Sequence, residues 1–166
     1  MHLISNIKKY LARSVGWLTV SLLGWMVLLA FLQLLFRWMK ISGIDWADVH
    51  LRQLVLWLAL LGGSLAAAQN RHIRIDFAEH FLKGKAQLYS RHFINIVAAG
   101  LSGLLTWYSI SFIQGERTAG NVLARIFFGW SLPLWMVELI IPVGFFLIAV
   151  FFLLNLIEGL FPEASK

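Results

Sequence analysis

The chain has 166 residues, 60% of them hydrophobic, with 14 Lys and Arg against 8 Asp and Glu, a formal net charge of +6, and a mean hydropathy of +0.77. The apolar share is well above that of a typical soluble domain, so a membrane protein without a soluble domain is expected. Cysteine is absent, which removes disulfide staples, thiolate metal sites and a cysteine nucleophile from consideration.

The first long uncharged run is Val15 to Phe36, preceded by Lys8, Lys9 and Arg13. At about 22 residues it is long for a signal-peptide core, and no small-residue cleavage site is apparent, so it is read as a membrane helix. A second run, Gln53 to Gln69, lies between two polar boxes: Trp46, Asp48, His50 and Arg52 before it, and Arg71, His72, Arg74 and Asp76 after it. About 17 residues at 1.5 Å rise cover roughly 25 Å, close to the hydrocarbon thickness, so both boxes belong at membrane faces. Asp48 and Arg52 are four apart and share one helix face, with the acid toward the positive end of the helix. Arg71, Arg74 and Asp76 form a second charged group, with Asp76 expected to start a short amphipathic helix through Phe77, Phe81 and Leu82. A cap or charge pair is the plain structural role for these residues.

Within the second run, Gly62, Gly63, Ser64, Ala66, Ala67 and Ala68 give overlapping small-xxx-small pairs, and Ala99 and Gly103 repeat the spacing in the third, Phe93 to Ile113. Such residues let helix backbones approach closely, either within the bundle or against a partner protein. The stretch Ala124 to Trp135 mixes Arg125, aromatic residues and Pro133, and is expected to lie along the outer membrane face. Three roles stay open for Glu138: capping the next helix, pairing with Arg125, or meeting a periplasmic partner. The fourth run is Leu139 to Ile157, with Pro142 placed to kink it. Trp17, Trp38, Trp46 and Trp130 fall near span ends, where amphipathic rings anchor at headgroup level.

Orientation follows from the basic residues. Lys8, Lys9, Arg13, Arg71, Arg74, Lys83, Lys85, Arg91 and Lys166 make nine on one side; Arg37, Lys40, Arg52, Arg117 and Arg125 make five on the other. The larger set predicts cytoplasm for both termini and the second loop. The positive charge is then an orientation signal with some capacity for anionic lipid headgroups, and no nucleic-acid partner is expected. The spans contain no Asp, Glu, Lys, Arg or His, and no inverted halves with broken helices, so the chain is not expected to transport a solute alone. His50 and His72 fall at opposite ends of the second span, and His80 and His92 in or beside the cytoplasmic loop, which argues against haem between facing imidazoles. The expected fold is a single all-α membrane domain over residues 1–166, a four-helix bundle with spans 15–36, 53–69, 93–113 and 139–157 and short amphipathic interfacial segments. No catalytic, cofactor-binding or metal-ligating residue is assigned, and no enzyme activity is expected.

Trp46, Asp48 and Arg52 before the second helix, Trp57 and Gly62 within it, and His72-Ile73-Arg74-Ile75-Asp76 after it resemble the pattern of a family. That family is the small, DctQ-type membrane subunit of tripartite ATP-independent periplasmic (TRAP) transporters. Its pattern is similar to Trp-x-Glu-Glu-x-x-Arg, an apolar run with Leu-Gly-Ala, then His-Ile-x-Val-Asp. Here Asp48 stands for the first acid and Val49 replaces the second. The resemblance implies a scaffold in the bacterial inner membrane. A large polytopic permease subunit would hold the substrate and sodium sites, and a periplasmic solute-binding protein would deliver a carboxylate-bearing solute. It further implies interface or structural roles for Trp46, Asp48, Arg52, Gly62, Gly63, His72, Arg74, Asp76, Arg125 and Glu138. Two other classes fit the same hydropathy: a haem b type membrane anchor of a redox enzyme, and an accessory subunit of another membrane complex.

Overall fold

The computed structural model describes residues 2–39, 45–69, 85–126 and 130–160. In chain order these form α1 (His2–Trp38), α2 (Asp45–Gln69), α3 (Lys85–Ala119), β1 (Val122–Ile126), β2 (Trp130–Pro133), α4 (Leu134–Glu138) and α5 (Ile140–Leu160). Four segments are long and apolar enough to cross a membrane, namely Asn6–Trp38, Ala47–Gln69, His92–Ala119 and Leu134–Gly159. A helix is the natural answer in hydrocarbon, because each backbone N–H and C=O must find its partner within the segment.

The helices outrun the apolar runs that announce them. α1 has 37 residues and α3 has 35, each over about 50 Å long at 1.5 Å per residue, against a hydrocarbon core of roughly 30 Å. The excess is polar: α1 continues back through Lys8, Lys9 and Arg13, and α3 starts at Lys85, ahead of His92, and continues past Glu116 and Arg117. Lys, Arg and Glu are good helix formers, so a charge that ends hydrophobicity does not end the helix. His92, expected in or beside a loop, is therefore a helical residue.

α5 is the central helix, packing extensively on both α3 and α2, while α2 also receives α1. The order of packing is thus α1, α2, α5, α3, a row bent at α2 so that α1 also reaches α5. α5 is apolar on all sides until Asn155 and Glu158, which suits a helix with neighbours on two faces. One core cluster sets Phe151 and Phe152 of α5 against Ala67 and Ala68 of α2 and Ala99 of α3. The alanines bring the backbones close and the phenylalanines fill the space; this packing, with no solvent-driven term in lipid, holds the helices together. A second cluster joins Val15, Leu61 and Ile140, one residue from each of α1, α2 and α5.

The described residues are not wholly helical. Gly120, at φ 66°, turns the chain out of α3 through the left-handed conformation that glycine adopts without penalty. The chain then forms an antiparallel hairpin in which Val122 pairs with Pro133, Arg125 with Ser131 and Ile126 with Trp130, with a bulge between Val122 and Arg125. Leu134 N donates to Asn121 O at 2.9 Å and closes the base of the hairpin. The stretch expected simply to lie along a membrane face is therefore a folded element, and its first strand packs on α2.

Candidate functional site

The polar residues gather at the two ends of the row. One end carries the hairpin together with the start of α2, the end of α3 and α4. Here Asp48 does not pair with Arg52. Its Oδ1 instead accepts a hydrogen bond from Gln33 Nε2 of α1 at 2.6 Å, tying the first two helices. Four-residue spacing brings Asp48 and Arg52 to one face, but a donor on the neighbouring helix takes the carboxylate first. Arg52 is exposed one turn further on. Trp46 lies in the first turn of α2 and Arg125 stands opposite Ser131 in the hairpin.

One turn past Gln53, the Trp57 indole Nε1 donates to Val137 O of α4 at 2.9 Å. Pro142 has no N–H for the carbonyl of residue 138, and the helix breaks there, at the junction of α4 and α5. Glu138 is the last residue of α4, two positions before the first residue of α5. Glu138 Oε2 and Gln53 Oε1 are both buried without a hydrogen-bond partner among the described residues. The neighbouring charges are held elsewhere. Glu116 Oε2 accepts from Asn121 Nδ2 at 2.9 Å, and the Arg117 guanidinium lies 5.7 Å from the Trp135 ring centroid, within cation–π range.

The opposite end is built from side chains to which the sequence assigned no contact with one another. Lys8 Nζ of α1 meets Glu158 Oε2 of α5 at 2.6 Å. Asn155, only 2% exposed, donates from Nδ2 to Ala67 O of α2 at 2.8 Å. His92 of α3 packs directly on Gly159, where an added Cβ would lie 2.9 Å from its Cε1. An asparagine in a run of Phe and Leu was the available signal, since a buried amide in lipid needs a partner. His72, Arg74 and Asp76, placed at this end by the sequence, lie outside the described residues, as does the short helix expected from Asp76.

Between the ends the interior offers little free polarity. Ser64 Oγ donates to Leu61 O at 2.7 Å, Thr106 Oγ1 to Ser102 O at 2.8 Å, and Ser109 Oγ to Leu105 O. Each hydroxyl is thus engaged by its own helix. A Cβ built on Gly63 would lie in ordinary contact with Ile148, 3.7 Å from its Cδ1, whereas among the described residues nothing lies within 4 Å of one built on Gly62 or Gly103. Among the described residues nothing packs on those two positions. Among the described residues, no three His, Cys, Asp or Glu side chains come together as a metal site.

Comparison with known proteins gives a family match over residues 26–161, to the family described as "Tripartite ATP-independent periplasmic transporters, DctQ component". A Haemophilus influenzae protein bearing the name of a TRAP transporter small permease is 30% identical over 73 residues. That alignment covers 44% of this chain and 45% of the relative, so less than half of the relative's length is spanned.

Proposed function

This chain belongs to the family of DctQ components of tripartite ATP-independent periplasmic transporters, and from that premise we propose that it acts as a scaffold within such a transporter. It braces the large permease subunit and forms part of the surface on which a periplasmic solute-binding protein docks. The transporter carries out sodium-coupled uptake of a carboxylate-bearing solute, with the sodium and solute sites on the large subunit. The chain lies in a bacterial inner membrane with both termini in the cytoplasm, which puts the hairpin, Trp46, Asp48 and Arg52 on the periplasmic side. His72, Arg74 and Asp76 then act at the cytoplasmic end of the second span.

The family match over most of the chain carries this reading. The own-helix hydroxyl bonds support a scaffold over a carrier, since a solute path needs polar groups free to meet its cargo. Gly62, with open space at its Cβ position, and the exposed Arg52, which has no ion-pair partner among the described residues, are available to a neighbour along α2. Affinity isolation from the native membrane in mild detergent, followed by mass spectrometry, tests the assignment. Recovery of a large polytopic permease is expected; recovery of a redox enzyme instead would overturn it. Within that experiment Arg52→Ala should lower complex yield or uptake more than Lys40→Ala, and equal values for the two variants would remove Arg52 from the interface.

A further inference from the structure

Residues 1–44 hold Lys8, Lys9, Arg13, Arg37 and Lys40 and no Asp or Glu, so α1 cannot neutralise its own cations. The bundle neutralises one of them, Lys8, through Glu158 of α5 at 2.6 Å. Helical geometry explains which. Lys8 shares the face of Val15 and Leu22, which pack toward α2 and α5. Asn6, Lys9, Tyr10, Arg13 and Trp17 fall together on the opposite face, within an arc of about 100°, and all five are exposed. Lys9 and Arg13 have no ion-pair partner among the described residues, and the Tyr10 hydroxyl and the Trp17 indole N–H have no hydrogen-bond partner among them. We propose that this outer face of α1 binds the headgroup of one anionic phospholipid, its phosphate shared by Lys9 and Arg13 and flanked by Tyr10 and Trp17.

Depth and charge select the occupant. The apolar run of α1 starts at Val15; at 1.5 Å per residue Arg13 stands about 3 Å outside it and Lys9 about 9 Å outside. The headgroup layer on each side of the hydrocarbon is about 5–8 Å thick, so phosphates lie at the level between the two cations. Lys9 and Arg13 are one turn apart on one face, within reach of a single phosphate through the ammonium and the guanidinium fork. Tyr10 stands just outside the hydrocarbon and Trp17 just within it, the setting in which amphipathic rings meet headgroups. Headgroup phosphates surround an outward helix face at that depth, whereas an acidic protein surface would have to be carried there by a partner. Lys8, at the same depth, is held inward by Glu158 and takes no part. This inference rests on α1 crossing the membrane and not on the transporter assignment, so its failure would leave that assignment standing.

The test uses the full chain in vesicles of equal parts phosphatidylcholine and phosphatidylglycerol, with a trace of either lipid bearing a photoreactive diazirine at the headgroup end of one acyl chain. Labelled positions are read by mass spectrometry. The phosphatidylglycerol probe is expected to label Tyr10 and Trp17 about tenfold more than the phosphatidylcholine probe, since each cation near an anionic headgroup is worth a factor of about five. Trp107 and Tyr108, as exposed on α3 and more than two turns from Arg117, should show no such preference. In Lys9→Gln/Arg13→Gln the preference at Tyr10 and Trp17 should disappear, while Lys9→Arg/Arg13→Lys, which keeps both charges, should retain it. Equal labelling of Tyr10 and Trp17 by the two probes, or a preference that survives the neutral double variant, overturns the proposal. In native membranes, a photoreactive p-benzoylphenylalanine in place of Tyr10 should crosslink to phospholipid. Crosslinking to a polypeptide instead would assign this face to a protein partner and overturn the proposal as well.

Discussion

Position 144 tolerates no side chain: a Cβ there would lie 2.7 Å from Leu60 Cβ. That atom is fixed to the α2 backbone, so no rotamer change relieves the clash and the two helices must part. Gly144→Ala should therefore destabilise the chain by about 1–3 kcal/mol, the usual cost of overpacking. Gly62→Ala, with open space around it, should leave the isolated chain as stable or raise its stability by up to about 1 kcal/mol through helix propensity. Thermal unfolding of the purified variants in detergent separates the two. The sequence draws the eye to the cluster from Gly62 to Ala68, and Ser64, Ala67 and Ala68 are indeed buried. It does not single out Gly144 or Gly159, because a lone glycine shows its purpose only when the bulky residue opposite is known. The Asp48 and Arg52 spacing misleads for a related reason: a pattern within one helix cannot reveal Gln33 on the next.

The helices themselves are legible as apolar runs, since hydrocarbon demands about 20 uncharged residues and little else produces them. Their ends are less so, because Lys8, Arg13 and Arg117 extend helices beyond the apolar layer rather than stopping them. The hairpin is harder still, depending on one positive-φ glycine and a pairing across the chain. The elements are joined by single polar contacts, and these can be tested separately. Asn155→Ala removes the bond to Ala67 O and empties part of the α2–α5 seam, for an expected loss of about 1–2 kcal/mol. Trp57→Phe keeps an aromatic side chain, though a smaller one, and loses the donor to Val137 O; the lost bond alone should cost about 0.6 kcal/mol, the average for hydrogen bonds between membrane helices, and at most about 1.7 kcal/mol. Hydrogen exchange should show the second variant loosening the hairpin and α4, with the α2–α5 seam unchanged; loosening spread over the whole chain would contradict a local tie.

For the whole molecule, the least secured helix is α1. Its outer face exposes Trp17, Val20, Trp25, Val27, Phe31 and Leu34. It is tied at one end by Gln33 to Asp48 and at the other by Lys8 to Glu158. The second pair has side chains 14% and 35% exposed, so water and salt screen it only in part. A double-mutant cycle on Lys8→Ala and Glu158→Ala should return a coupling of about 1 kcal/mol that shrinks as salt is raised. No coupling would mean that apolar contact alone seats α1.

The packing order also bears on how this chain sits among its neighbours. α1 lies chiefly on α2 and reaches α5 as well, while α3 packs on α5, so the row bends at α2. Because the longest helices exceed the hydrocarbon thickness, they lean to keep their polar ends wet. Helices packed as tightly as Gly144 on Leu60 cannot lean independently, so α2 and α5 share one inclination. Any body fastened to that pair takes its inclination as a frame of reference, in the way a hull takes its trim from a keel.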